Sequence, residues 1–320
     1  MAITALPHGD KQQYMSSDEY NRRQSFNRII AILLFLVPGM IFFFAFVLIP
    51  VSNSLYYSVF NWNGLGPPTD FVGLRNYNFL LNQRAFQQSI QNSFMIVILS
   101  LLIQLPMALA LALVVGRGHL RGRSIFRTIL FIPFVFSEII TAYIWSYVYH
   151  PRDGLANFIV HLFAPGAENI VWLADKDIAL FAVFAVITWK FFGLHMILYM
   201  AALQGVPQDL EEAARLDGAN EMQVIRHVTL PMIGSTLRLT VYLSVLGSFQ
   251  QFVLIWILTE GGPANATHVL ATYLYKFGII SWQLGVGSAI AVMLFIITFT
   301  FSLIYQTLVL RRDYDTQFVN

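Results

Sequence analysis

Cysteine is absent from all 320 residues. That excludes a disulfide framework and any thiolate-bound metal. Charge is scarce as well: Asp, Glu, Lys and Arg make up 11% of the chain, where a soluble domain carries about 25%. Hydrophobic residues reach 57% and mean hydropathy is +0.63. A soluble core of this size cannot hide so much apolar surface, so the solvent must be a bilayer. The chain also lacks G-x-x-x-x-G-K-[ST], and with it any phosphate cradle of its own. No H-E-x-x-H or G-x-S-x-G stands in an apolar run. The usual bases for a membrane hydrolase are therefore missing, and the chain is not expected to be an enzyme.

What is present is a series of long apolar runs. Six stretches, 29–51, 93–115, 124–147, 178–202, 237–258 and 286–310, are nearly free of charge. Each is long enough to cross about 30 Å of hydrocarbon as a helix. The expected fold class is all-α, a polytopic membrane protein with six transmembrane helices. Residues 1–28 are polar and mixed in charge, and the apolar run after them is too long for a cleavable signal. They are expected to form a cytosolic leader, with 29–310 as the membrane domain and 311–320 as a cytosolic tail.

Orientation follows from lysine and arginine. Thirteen fall on one side: Lys11, Arg22, Arg23 and Arg28; Arg117, Arg121, Arg123 and Arg127; Arg215, Arg226 and Arg238; Arg311 and Arg312. Five fall on the other, over longer loops: Arg75, Arg84, Arg152, Lys176 and Lys276. Both termini are thus expected in the cytosol. The loops expected outside are rich in Gly, Pro, Asn and Trp and suit docking to an outside partner, or simply connect spans. Asn265-Ala266-Thr267 matches a glycosylation acceptor.

One polar stretch interrupts the apolar series on the expected cytosolic side, "LEEAARLDGANEMQVIRHVTLP" at 210–231. Pro207 suits a first helical turn. Asp209, Glu211 and Glu212 place negative charge at that helix's positive end. Leu210, Ala213 and Ala214 form a small apolar stripe. Gly218 after Asp217 supplies a stop, and Asn220 with Gln223 reads as a capping box for a second helix. Pro231 marks where that helix yields. The alanines let another protein approach closely, and Glu212, Arg215 and Asp217 offer charge around that approach. The alternative is an interfacial helix lying on lipid, but the segment is more acidic than basic, which anionic lipid disfavours.

Glu212-Ala213-Ala214, Asp217-Gly218-Ala219 and Leu230-Pro231 resemble the "EAA…G…LP" motif of ABC importer permeases. "FVGLRNY" at 71–77, "PRDGLAN" at 151–157, "TEGGPANATHVL" at 259–270 and "YQTLVLRRD" at 305–313 are similar to the carbohydrate-uptake group, the relatives of the maltose permease. The resemblance covers nearly the whole chain. It implies the type I importer permease fold in a bacterial or archaeal cell membrane. It also implies a second homologous permease subunit, a homodimeric ATP-binding subunit, an extracytoplasmic sugar-binding protein, and no nucleic acid. ATP and magnesium would sit on the ATPase, leaving this chain without a cofactor. Residues 207–231 would be its coupling segment, with Glu211, Glu212, Ala213, Ala214, Arg215, Asp217, Gly218, Ala219, Leu230 and Pro231 meeting the ATPase.

Glu138, Lys190 and His195 fall inside expected spans, where ionisable groups usually face a cavity or each other. The resemblance places the path on the third, fourth and fifth spans. Phe134 and Glu138 are four apart on the third, Lys190 and Leu194 on the fourth, and Ser248 and Gln251 share a face of the fifth. Amides and hydroxyls suit sugar hydroxyls, and Phe134 or Phe249 would stack on a sugar ring. Lys190 departs from the neutral residue expected in a maltose-type pocket; it either pairs with Glu138 or holds an anionic group of the substrate. His195 reads as a satisfied histidine of the bundle. An oligosaccharide is the expected substrate, a glycerophosphate-type compound the second choice. The alternative from another class is an ion-coupled carrier, but no inverted repeat supports it.

Overall fold

The computed structural model describes residues 17–117 and 122–311. Lys11, Arg121, Arg312 and the 312–320 tail lie outside them. Among the described residues the fold is helical, and the one strand-like feature is an isolated antiparallel bridge between Phe60 and Phe71. Contacts divide the chain between Asn53 and Ser54.

The first helix, α1, runs Ser17–Phe43, passes through a π turn at Phe44–Leu48 and continues as Ile49–Tyr57. Pro50 has no N–H for the carbonyl one turn before it, and a π turn is one way a membrane helix absorbs that loss. None of its most apolar window is buried. A helix that is apolar all round is a core or membrane-spanning helix.

In the second unit, α2 is Arg75–Asn82. Helix α3 runs Arg84–Leu99, a π turn at Ser100–Gln104, then Leu105–Arg117. Helices α4 (Arg123–Val135), α5 (Glu138–Val148) and α6 (Leu155–Phe163) come next. Helix α7, Ala179–Gln204, is the centre: 67% of its apolar window is buried, and it packs against α3, α4 and α5. Lipid tails are as apolar as leucine, so close backbone approach rather than burial draws membrane helices together. Gly193 shows this: a Cβ there would sit 2.6 Å from the Leu130 carbonyl oxygen of α4. Ala108 and Ala112 of α3 play the same part against Met196, Tyr199 and Met200.

Helix α8 is Gln208–Leu216 and α9 is Glu221–Met232 with an internal π turn. Helix α10 is Gly234–Phe249 and α11 is Val253–Thr259; both pack on α7 as well. Helix α12 begins at Leu270–Tyr275, and α13 runs Leu284–Tyr305 with a π turn at Gln306–Leu310. The loop before α12 is pinned to α3, because Asn92 donates to the carbonyls of Ala266 and His268, both at 2.8 Å. Burial first, and Lys276 second, push the His268 imidazole down to about 4.

Among the described residues four helices are long and apolar enough to cross a membrane: Arg28–Tyr57, Arg84–Gly116, Ala179–Gln204 and Leu284–Leu310. The remaining two expected spans are not straight rods. The 124–147 stretch is α4 and α5, bent by 102°. Phe136 and Ser137 are extended, and the Ser137 hydroxyl caps α5 by accepting from the Ile140 N–H at 3.2 Å. The 237–258 stretch stops helically at Phe249 and resumes as α11, and its α10 start is bent by 73° from α9. Apolar length predicts a crossing, whereas a serine cap inside the run starts a new helix just as it does in water.

Candidate functional site

The 207–231 segment forms a joint of two short helices. Pro207 lies one residue earlier than expected, as the cap before α8 rather than in its first turn. After Leu216 the chain closes α8 with paired turn bonds: the Gly218 N–H donates to the Arg215 carbonyl at 3.1 Å and the Ala219 N–H to that of Ala214 at 3.0 Å. This is the Schellman arrangement, and Gly218 holds the left-handed conformation it needs, φ +89°. The capping box of α9 is complete. The Gln223 N–H donates to the Asn220 side chain at 2.9 Å, and the Asn220 N–H to the Gln223 side chain at 2.7 Å.

Side chains then lock α8 to α9. Arg215 donates from Nε to Glu221 Oε1 at 2.7 Å and from Nη2 to Oε2 at 3.2 Å. Glu221 thereby raises the pKa of an already strong base. Glu211 is buried and accepts from the Thr229 hydroxyl at 2.8 Å. The expectation that Glu211 faces a partner is corrected: it is buried in the joint against Thr229. Arg215 stays exposed while it clamps Glu221, which the Schellman turn brings back alongside α8. Glu212, Ala213, Asp217, Gly218 and Pro231 are exposed; Ala214, Ala219 and Leu230 are half-buried. Leu216 is 89% exposed and Met222 71%. Neither is evident in the motif, although Leu216 is the last apolar residue before the helix stop. A cleft of about 1140 Å³ lies beside the joint, lined among others by Arg123, Glu211 and Glu212.

Within the helical bundle, α3, α5, α7 and α10 line a second, partly open cavity, of about 340 Å³. Glu138, Leu194, Ser248 and Gln251 line it. Ser100, Gln104, His195 and Ser244 also line it, unforeseen from the sequence as path residues. The π turn at Ser100–Gln104 supplies two of these, and the hydroxyls of Ser248 and Ser100 meet at 3.3 Å. Three polar atoms here are buried without a partner: His195 Nδ1, Ser244 Oγ and Gln251 Oε1. His195 is therefore not the satisfied bundle histidine expected. Buried unpaired groups are costly unless something fills the space between them.

Phe134 and Lys190 are absent from this lining. The break after Val135 removes the shared face expected for Phe134 and Glu138, since Glu138 begins a new helix in another direction. Lys190 reaches the broken end instead. Its Nζ donates to the carbonyls of Pro133 at 3.3 Å, Phe134 at 2.7 Å and Phe136. The last carbonyls of a helix lack intrahelical donors and carry its negative end, so a lysine completes both. The Phe134 ring packs over the ammonium at 5.4 Å and against Phe191. Phe249 is buried edge-on to Phe94 at 5.2 Å, so its ring is not open for stacking on a sugar; Phe134 is half-buried. Lys190 makes no ion pair with Glu138 within 4 Å among the described residues.

Residues 104–314 match the family described as "Binding-protein-dependent transport system inner membrane component". An ABC transporter permease protein of Bacillus subtilis is 36% identical over 87% of this chain and 94% of its own length. The trehalose/maltose transport system permease of Thermococcus litoralis is 31% identical over 85% of this chain and 91% of its own. Among solved structures, a chain of a bacterial ABC transporter that imports the acidic polysaccharide alginate superposes with a TM-score of 0.79 at 23% identity, covering 91% of this chain and 99% of that one. That likeness shows the fold.

Proposed function

The chain belongs to the binding-protein-dependent transport system inner membrane component family, and from that premise we propose how it works as a sugar importer's permease. It is the membrane-embedded permease subunit of a carbohydrate-uptake ABC transporter, one part of a multi-subunit assembly. In our reading α4 with α5, and α10 with α11, each make one span, giving six spans with both termini in the cytosol. The chain then lies in a bacterial or archaeal cell membrane, paired with a second homologous permease. A homodimeric ATPase binds ATP and magnesium, and an extracytoplasmic protein delivers sugar.

The joint carries this reading. Its caps, turn and Arg215 clamp satisfy its own polar groups, yet it leaves Leu216 and Met222 exposed beside Glu212 and Ala213. A rigid frame presenting leucine to the cytosol is suited to a cleft on another protein. ATP-driven closure of the ATPase would push on α8, and the clamp to α9 would hand that motion to α10. Helix α10 lines the cavity through Ser244 and Ser248, so the same rod links motor and path. Glu138, Leu194, Ser248 and Gln251, joined by His195 and Ser244, would meet the sugar there. Lys190 and Phe134 support the path from behind rather than line it.

The test is sugar-stimulated ATP hydrolysis by the reconstituted complex across a saccharide panel. Stimulation by one saccharide class, lost when the joint is altered, is the expected result. Uptake that persists in vesicles without the ATPase, driven by an ion gradient, would overturn it in favour of an ion-coupled carrier.

A further inference from the structure

The cavity between α5, α7 and α10 has one carboxylate on its wall and neither lysine nor arginine: Glu138 lines it alone among the fixed charges. The neighbouring cation is committed elsewhere. An ammonium has three N–H donors, and Lys190 gives its own to the carbonyls of Pro133, Phe134 and Phe136. No N–H is left to donate to an anion, and what remains is its charge, acting on Glu138 from behind the wall. The other polar groups on the wall are uncharged amides and hydroxyls, apart from His195. Three of these residues, His195, Ser244 and Gln251, are more than nine-tenths buried and hold a polar atom without a partner. These atoms point to a ligand rich in hydroxyls or amides.

We propose that Glu138 is the charge-selecting group of this cavity, admitting neutral or amine-bearing saccharides and refusing anionic ones such as uronic acids and phosphate esters. The proposal rests on the cavity being part of the sugar path. A carboxylate accepts hydrogen bonds and donates none, so saccharide hydroxyls and ammonium groups satisfy it. A second carboxylate or a phosphate brings only acceptors and a like charge into a low-dielectric space, where repulsion is strong. The fold fixes the group in place: Ser137 caps α5, Glu138 is its first residue, and a helix start favours negative charge. The broken helix that puts it there is held by Lys190, so the two charged residues have divided roles.

The absence of cysteine from this chain makes the test direct, because Ser248→Cys gives it one thiol, on the wall, and the importer without that substitution gives the background labelling. In the assembled importer in membrane vesicles, that thiol is reacted with neutral, cationic and anionic methanethiosulfonate reagents, at rest and during ATP turnover. Ala167→Cys on the exposed loop after α6 gives the reference rates. The cation-to-anion rate ratio at Ser248→Cys should exceed the reference by about tenfold or more, the scale of one nearby charge acting on probes of opposite sign. Adding Glu138→Gln should return it to the reference. If the neutral reagent reaches the thiol but the ratio is unchanged by Glu138→Gln, charge selection is wrong and the path stands. If no reagent reaches it in either state, the path reading falls and the proposal with it. Should Glu138→Gln fail to assemble, the ratio with Glu138 intact still decides: a value at the reference refutes the idea.

Discussion

In the joint, the bonds that fix α8 to the turn and to α9 span at most 18 residues, from the Schellman pair through Arg215–Glu221 to Glu211–Thr229. In the cavity, Ser248 meets Ser100 across 148 residues, and behind its wall Lys190 reaches carbonyls 54 to 57 residues away. The joint is thus a rigid piece whose shape depends little on the rest of the molecule. The cavity exists only when α3, α5, α7 and α10 are assembled. An importer has use for both: a lever that does not deform when pushed, and a chamber whose walls separate when helices move.

Removing the cavity's long-range support is expected to have the largest effect. Lys190→Met keeps the volume but leaves three carbonyls at the end of α4 without their donor. Unsatisfied buried groups cost about 1–3 kcal/mol each, and water from the cavity can relieve part of that, so a loss of about 3 kcal/mol is expected. Melting of the purified complex should fall markedly, and uptake with it. A variant that melts like the parent would show that the bent helix needs no support, and the contrast between joint and cavity would collapse.

The same contrast explains what could be read in advance. Asn220 and Gln223, Gly218, and the acidic start of α8 each act within four or five residues, and local chemistry settled them. Apolar runs marked four helices directly, and the broken stretches α4–α5 and α10–α11 only as lengths. The bends themselves depend on choices made between distant groups. Ser137 caps α5 while Lys190, 53 positions later, satisfies carbonyls that a straight helix would have bonded. Nothing in "FIPFVFSEII" announces that partner, so Phe134 and Glu138 looked like neighbours on one face. His195 was misjudged for the same reason: its surroundings come from three other helices. Leu216 was missed for a different one, since a single leucine next to a glycine looks like ordinary helix content until its exposure is known.

Leu216→Asp is the next largest effect, and it strikes only the lever. The side chain is 89% exposed in the isolated chain, so folding should be unaffected. Burial of a leucine in a partner's cleft contributes about 2 kcal/mol, and its loss corresponds to copurification of the ATPase weakened about thirtyfold. Normal copurification with normal uptake would remove Leu216 from the contact and sharpen the search toward Met222 and Glu212.

The smallest expected effect separates conformation from crowding at Gly218. A Cβ built there meets nothing within 4 Å, although φ is +89°. Space is therefore not what requires glycine; the left-handed backbone is, and it costs an ordinary residue about 1–2 kcal/mol. Gly218→Ala and Gly218→Leu should then impair sugar-stimulated ATPase activity to a similar degree, despite their difference in size. Gly218→Asn should be milder, because asparagine tolerates this conformation. Membrane insertion should be normal in all three. If Leu proves far worse than Ala, the open space around Gly218 is filled in the assembled importer, and the turn is part of the docking surface rather than only the hinge behind it.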